Sequence, residues 1–270
     1  MKDINVIAGL GEIGSPILKL LSKKNITIGY DLNPKLMDVK KFHDYEGYEI
    51  KFLHICIPFN NQFIPNVISL FKKFTPKIMV IHSTISPNTT KSLQKKLGIP
   101  IIYSATRGVH NRMLSDLKKY TKYFAIEKKA PKEKWAIIEF KKLMKKSNVK
   151  TKKLSNPVTL ELAKIVVDTT YYGWLINFAQ LSNLVAKKYH VDYDEMWEFS
   201  DEINRFLGNR PKMFPGFIGG HCVIPNLSLV NEENFYQIDK INNMYAKKVK
   251  EAKLIAKKYV KGKQSYNTKP

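Results

Sequence analysis

The first half of the chain alternates between two patterns. Runs of five or six mostly apolar residues occur at Ile4–Ala8, Ile26–Tyr30, 52–57, 78–82 and 99–104. Such runs mark strands that are covered on both faces. Between them, residues 15–23, 65–74 and 89–96 read as helices with one buried face. Strand and helix in alternation imply an α/β fold, a doubly wound parallel sheet of the Rossmann type. A short run at 124–126 adds a further strand. One helix with a basic outer face is expected after it, with Trp135, Ile138, Leu143 and Met144 as its apolar positions.

The pattern changes after Asn156-Pro157. From 158 to 189 there is no proline and one glycine, Gly173, while Leu162, Ile165, Val166, Tyr172, Ile176 and Leu184 recur at helical spacing. This reads as one long helix, kinked near Gly173 and too apolar for a surface position. It is expected to be the spine of a second, helical domain or the seam of a dimer. Residues 194–206 and 231–259 read as further helices, and 213–225 as a glycine-rich loop. The expected division is an α/β domain over 1–152 and a helical domain over 153–270.

Composition narrows the classes. With 44 % apolar and 26 % charged residues in 270, the chain is an ordinary globular one and not a disordered one. No run of 18 apolar residues offers a membrane span. Two cysteines, Cys56 and Cys222, make no disulfide framework, and the start lacks a signal-peptide core, so a cytoplasmic protein is expected. The net charge of +23 comes from 46 basic and 23 acidic residues. Only Arg107, Arg112, Arg205 and Arg210 are arginines, whereas readers of phosphates and bases lean on arginine. The lysines therefore read as a solvated coat, densest over 118–153. An anionic small molecule is the expected partner, with no nucleic acid and no membrane.

Candidate chemistry begins at Gly9-Leu10-Gly11-Glu12-Ile13-Gly14, a G-x-G-x-x-G run between a strand and a helix. The first glycine allows a tight turn, the second lets a pyrophosphate approach the backbone, and the third lets helix pack on strand. Free N–H groups at the helix start then hold the phosphates. Asp31 ends the next strand, where a carboxylate accepts from ribose hydroxyls and repels a 2′-phosphate, favouring NAD over NADP. A second signal is Cys222 behind Gly219-Gly220-His221, a cysteine with little steric cover. The third is Lys164 with Asp168 four residues on, an ordinary ion pair on a helix face or, on so apolar a helix, an acid–base group. Arg107 and His110 follow a strand, where ligands gather in this architecture. His54, Cys56, His221 and Cys222 are soft donors, but nothing in the sequence brings them together, so no metal site is expected.

These signals together resemble one family, the nucleotide-sugar 6-dehydrogenases, which include UDP-glucose, UDP-N-acetylmannosamine and GDP-mannose dehydrogenases. The resemblance runs from about residue 4 to about residue 229. It includes the glycine loop and Asp31, and the strand His54-Ile55-Cys56-Ile57-Pro58. His82-Ser83-Thr84-Ile85-Ser86-Pro87-Asn88-Thr89-Thr90 is similar to the family's S-T-x-x-P-G-T-T segment. Glu161 to Asp168 is similar to its E-x-x-K-x-x-x-N helix, and Pro215-Gly216-Phe217-Ile218-Gly219-Gly220-His221-Cys222 to its cysteine loop.

The resemblance implies a cytoplasmic, homodimeric oxidoreductase that uses NAD. It oxidises a primary alcohol of a sugar-derived or nucleotide-sugar substrate twice, through a cysteine thiohemiacetal and thioester. It implies Cys222 as nucleophile, Lys164 as oxyanion stabiliser with Asp168 beside it, and Thr84 near the nicotinamide. Gly9, Gly11, Glu12, Ile13, Gly14, Asp31, Pro58, Ser83 and Thr84 would line the cofactor. Arg107, His110, Gly219, Gly220, His221 and Asn226 would line the substrate. Three departures stand out: Asn226 where the family has Asp, Asp168 where it has Asn, and no acid in Ser104-Ala105-Thr106. The family's third domain is also expected to be missing, to be supplied if at all by a second subunit. Two other readings remain. One is a two-electron β-hydroxyacid-type dehydrogenase using Lys164, and the other a non-catalytic dinucleotide-binding protein.

Overall fold

The computed structural model describes residues 4–45 and 47–249. They form two compact units, divided between Lys164 and Ile165. In chain order the first unit contains β1 (Ile4–Ala8), α1 (Gly14–Leu21), β2 (Ile26–Tyr30), α2 (Val39–Asp44), β3 (Ile50–Ile55), α3 (Phe63–Phe74) and β4 (Ile78–Ile81). It continues with α4 (Thr89–Leu97), β5 (Ile101–Tyr103), α5 (Met113–Lys119), β6 (Lys122–Ile126), α6 (Glu133–Lys146), β7 (Thr151–Lys153) and α7 (Pro157–Leu162).

The strands form one sheet in the order β2-β1-β3-β4-β5-β6-β7. The order reverses between β1 and β3, so a crevice opens there at the C-terminal ends of the strands, the usual ligand position of this architecture. Alternate side chains feed two cores. Val6, Leu53, Ile55, Met79, Ile81 and Tyr103 pack with Phe63, Val67, Leu93 and Leu160 on one face. Ile7, Phe52, Ile78, Val80, Ile102 and Phe124 pack with Leu20, Leu117 and Phe140 on the other. Helices on both faces explain why the strand sequences are apolar throughout.

The sheet corrects the all-parallel expectation at one place: β6 runs antiparallel to β5, pairing Ile102 with Ile126 and Tyr103 with Ala125. A 3-10 turn and the seven-residue α5 keep the chain at the C-terminal edge, so β6 starts where β5 ends. β7 then pairs parallel to β6, which extends the first unit beyond residue 152. In α6 the buried positions are Ala136, Phe140, Leu143 and Met144, while Ile138 points outward.

The division between units falls inside a helical run. After α7, Ala163–Thr170 is π-helical, and α8 (Tyr171–Lys188) follows. The expected kink at Gly173 is not the irregularity found. Gly173 is required for packing instead, since a methyl there would sit 2.8 Å from Val223 Cγ1. The second unit continues with α9 (Tyr193–Leu207), capped by Asp192, then α10 (Ile224–Leu227) and α11 (Gln237–Lys248). The helix expected over 231–259 resolves into a 3-10 turn at Glu233–Tyr236 and α11, and its part beyond 249 lies outside the described residues. Among the described residues no helix is long and apolar enough to cross a membrane.

Candidate functional site

In the first unit the candidate residues surround the crevice between β1 and β3. Gly9 holds φ at +91°, and a methyl on it would meet Cys56 O at 2.8 Å. A methyl on Gly14 would meet Gly9 O at 1.7 Å, so only glycine lets α1 start against the end of β1. A methyl on Gly11 would meet nothing within 4 Å, so the turn is open on that side. These are the three roles the spacing predicts: tight turn, open approach and close packing. Ser15 Oγ donates to Leu10 O and tightens the turn.

Asp31 sits just past β2. Its Oδ2 accepts from Leu10 N at 2.7 Å and its Oδ1 from Asn33 N at 2.9 Å. Each oxygen keeps a lone pair for a ribose hydroxyl. Glu12 is exposed and pairs with His110 Nδ1 at 2.9 Å. Ile13 packs on the core face of α1. Pro58 is exposed beyond β3, Ser83 is buried and donates to Ile57 O at 2.6 Å, and Thr84 is half-buried beyond β4. Open backbone at Gly11, helix N–H groups and a carboxylate at the end of β2 fit a dinucleotide.

A buried polar chain crosses the sheet beside this crevice. The Ser104 carbonyl can only accept, so His82 donates Nδ1–H to it at 3.0 Å. His82 Nε2 then accepts from His54 Nδ1 at 2.9 Å, and the two rings stack. His54 Nε2 is left a buried acceptor with no partner. Burial, and secondarily the charge of Lys122, pushes the His54 imidazole down to about 3, and His82 is lowered by the same causes. Burial pushes the Cys56 thiol up to about 12, which makes it a poor thiolate and a poor metal ligand. Glu161 is fully buried. It accepts from Asn88 N at 2.6 Å and from Thr90 N and Oγ1 at 3.0 and 2.6 Å, tying α7 to the start of α4. Burial raises its carboxyl and those hydrogen bonds oppose the rise.

Arg107 lies exposed over the Tyr123 ring at 4.9 Å and donates to Thr121 O at 2.7 Å. Lys164 is half-buried at the end of the first unit, and Asp168 is exposed. Both lie in the π-helical run over Ala163–Thr170.

The remaining candidates belong to the second unit. Gly219, Gly220, His221 and Cys222 are exposed on the loop before α10, with Gly220 at φ +84°. Asn226 Nδ2 donates to Cys222 O at 2.6 Å, fixing the loop where it enters the helix. Two residues not singled out from sequence hold the loop's base. Gln180 of α8 donates to Gly216 O at 2.7 Å and to Asn242 Oδ1 at 3.0 Å. Asn242 of α11 bonds both N and O of Ile218, at 2.8 and 3.0 Å. For Gln180 the signal available was a polar residue on an apolar helix; Asn242 lies on a polar helix, where nothing marks it out. A separate cavity of about 500 Å³ in this unit is lined by Phe178, Met196, Trp197 and Arg210 among others.

No protein-family description and no curated protein matches the chain in sequence. Solved structures do match in fold. A UDP-D-ManNAc dehydrogenase from Pyrococcus horikoshii is similar over 90 % of this chain and 68 % of its own, with TM-score 0.74 and 19 % identity. A 3-hydroxyisobutyrate dehydrogenase from Mycobacterium tuberculosis, with L-serine, covers 95 % of this chain and 98 % of its own at TM-score 0.68 and 12 % identity. A GDP-mannose dehydrogenase from Pseudomonas aeruginosa covers 98 % and 71 % at TM-score 0.59 and 14 % identity.

Proposed function

We propose that this chain, whose fold is that of nucleotide-sugar and 3-hydroxyisobutyrate dehydrogenases, is an NAD-dependent dehydrogenase oxidising a primary alcohol of an anionic, sugar-derived substrate. The observation that carries the reading is the cradle of Gly9, Gly11 and Gly14 backed by Asp31. NAD held there supplies the hydride acceptor. The backbone N–H groups at the start of α1 take its pyrophosphate and Asp31 its ribose. Lys164 donates to the substrate oxygen and steadies negative charge on it. In the cysteine step, the Cys222 sulfur bonds to the aldehyde carbon as its proton passes to the carbonyl oxygen. After the second oxidation, water attacks the thioester carbon, the C–S bond breaks, and the thiol is regenerated beside a carboxylate. Cys222 is exposed and its loop is pinned from α8 and α11, which suits a nucleophile that must be held in place.

A second reading, a two-electron hydroxyacid dehydrogenase, is favoured by the absence of an acid at Ser104-Ala105-Thr106 and by Asn226 beside the cysteine. A homodimer is part of the first reading, supported by the apolar surface on α8 and α9. Counting NADH per substrate consumed separates the two chemistries. UDP- and GDP-sugars, their phosphorylated and free sugars, and 3-hydroxyisobutyrate form the panel. Two NADH per substrate, falling to one or none in Cys222→Ala, is the expected result. One NADH with turnover unchanged in Cys222→Ala sinks the cysteine step. NAD binding with no turnover on any substrate leaves only the dinucleotide-binding reading.

A further inference from the structure

We infer that the outer face of α6 docks the first unit on an anionic phospholipid surface, with Ile138 at the centre of the contact and lysines around it. The docking is peripheral, goes beyond the reading above and does not depend on it.

The core-facing positions of α6 are Ala136, Phe140, Leu143 and Met144. At about 100° per residue, Ile138 falls opposite the middle of that stripe. It is 51 % exposed and takes no part in the core on that side of the sheet. Lys134, Lys141 and Lys142 stand three or four residues from Ile138, and Lys145 four from Lys141, so all four share its face. All four are exposed. From the sequence these lysines read as part of a solvated coat. The helix arranges them into a ring around one apolar side chain.

The charge of this face is not neutralised from within. Residues 118–153 include 14 lysines and three acids, Glu127, Glu133 and Glu139. Every one of these lysines except Lys122 is exposed. Glu139 is engaged by Lys51 Nζ and, at 2.9 Å, by Lys142 Nζ. Glu133 Oε2 accepts from Lys129 N at 3.3 Å, at the start of the helix. Among the described residues no carboxylate pairs with Lys134, Lys141 or Lys145. The face runs about 16 Å from Lys134 to Lys145, whereas screening at physiological salt acts over about 8 Å. These lysines therefore act together only on a surface that reaches all of them, as a sheet of anionic headgroups does.

The residue types select lipid over nucleic acid. No arginine lies between 113 and 204, and the fork that reads phosphates and bases is an arginine. Attraction to a charged leaflet is diffuse, and lysine suffices for it. A phosphate backbone offers Ile138 no apolar cover. The boundary between headgroups and acyl chains buries an apolar centre flanked by lysines, whose stems lie along it.

Co-sedimentation of the full chain with vesicles tests this, one set of phosphatidylcholine alone and one with about a third phosphatidylserine. At physiological salt the chain should partition to the serine-containing vesicles at least tenfold more than to the neutral ones. Lys134→Glu with Lys141→Glu and Lys145→Glu should lower that partitioning at least thirtyfold, with Tm within about 2 °C, since each lysine is worth about fivefold. Lys91→Glu with Lys95→Glu and Lys96→Glu changes the net charge equally on α4, which packs on the other core of the sheet. It should cost less than fivefold. Ile138→Ser should cost about threefold. Equal partitioning to both vesicle types overturns the proposal. So does an equal loss from the α4 reversals, which would make net charge the cause. Duplex DNA bound more tightly than the vesicles, or partitioning unchanged in Ile138→Ser, overturns the lipid assignment.

Discussion

His54 and His82 show what burial does to a single side chain. Both rings sit inside the sheet, joined by one hydrogen bond, and burial opposes a proton on either. Their folded values lie below the ordinary 6.5. The unfolded chain therefore binds more protons than the folded one as pH falls through 6.5, and stability drops until about 3. Denaturant unfolding at a series of pH values should show this acid limb. In His54→Phe the limb should be shallower, while stability at pH 7 falls by about 1–2 kcal/mol because His82 Nε2 loses its donor. A limb equally steep in wild type and variant would show that the histidine pair is not its source. Lys122 adds a second window of the same sign: its folded value near 7 against the ordinary 10.5 makes stability rise with pH across that interval.

At the scale of elements, the β1 to α1 turn separates two kinds of glycine. Gly14 is needed for packing, because its methyl would collide with Gly9 O. Gly11 is needed only if something approaches the turn, because its methyl meets no protein atom within 4 Å. Gly14→Ala should lower stability by about 2 kcal/mol or more, as strain and overpacking do. Gly11→Ala should leave Tm within about 2 °C and weaken NAD binding at least tenfold. Calorimetric titration with NAD and thermal unfolding of both variants check the contrast. Gly11→Ala binding NAD as tightly as the wild type would remove the cradle as the basis of the functional reading. β1 and β2 follow their sequence bounds closely because glycine, asparagine and aspartate punctuate them. α5 and β7 escaped the sequence reading because they are short and rich in lysine. The π-helical turn over Ala163–Thr170 escaped it because its residues have ordinary α-helical periodicity.

Across the whole molecule the uneven feature is the second unit. Its α8 and α9 leave Phe178, Val185, Phe199 and Phe206 exposed, the last two at 89 % and 78 %. An apolar surface of this kind marks an interaction site, and a second copy of the chain is the partner proposed. Sedimentation velocity at micromolar concentration should show a dimer. Phe199→Glu with Phe206→Glu should give a monomer with unchanged circular dichroism. A monomeric wild type at that concentration would refute the dimer. The net charge of +23 is spread over lysines on solvated faces and opposes such association only weakly at physiological salt, where the Debye length is about 8 Å.

The sequence by itself determined strands β1 to β6, the glycine turn and Asp31, because these depend on local rules: apolar runs, a turn that only glycine can make, and an acid at a strand end. It also determined that Cys222 lies on an open glycine loop. Tertiary structure alone decided which polar side chains meet. Lys122 reads as one more lysine in the basic stretch, yet the antiparallel start of β6 buries it against Ser104 and Ala105. Gln180 and Asn242 lie 62 residues apart, yet together they hold the cysteine loop from two helices. A residue's environment is set by partners distant in sequence, and composition and periodicity carry no record of them.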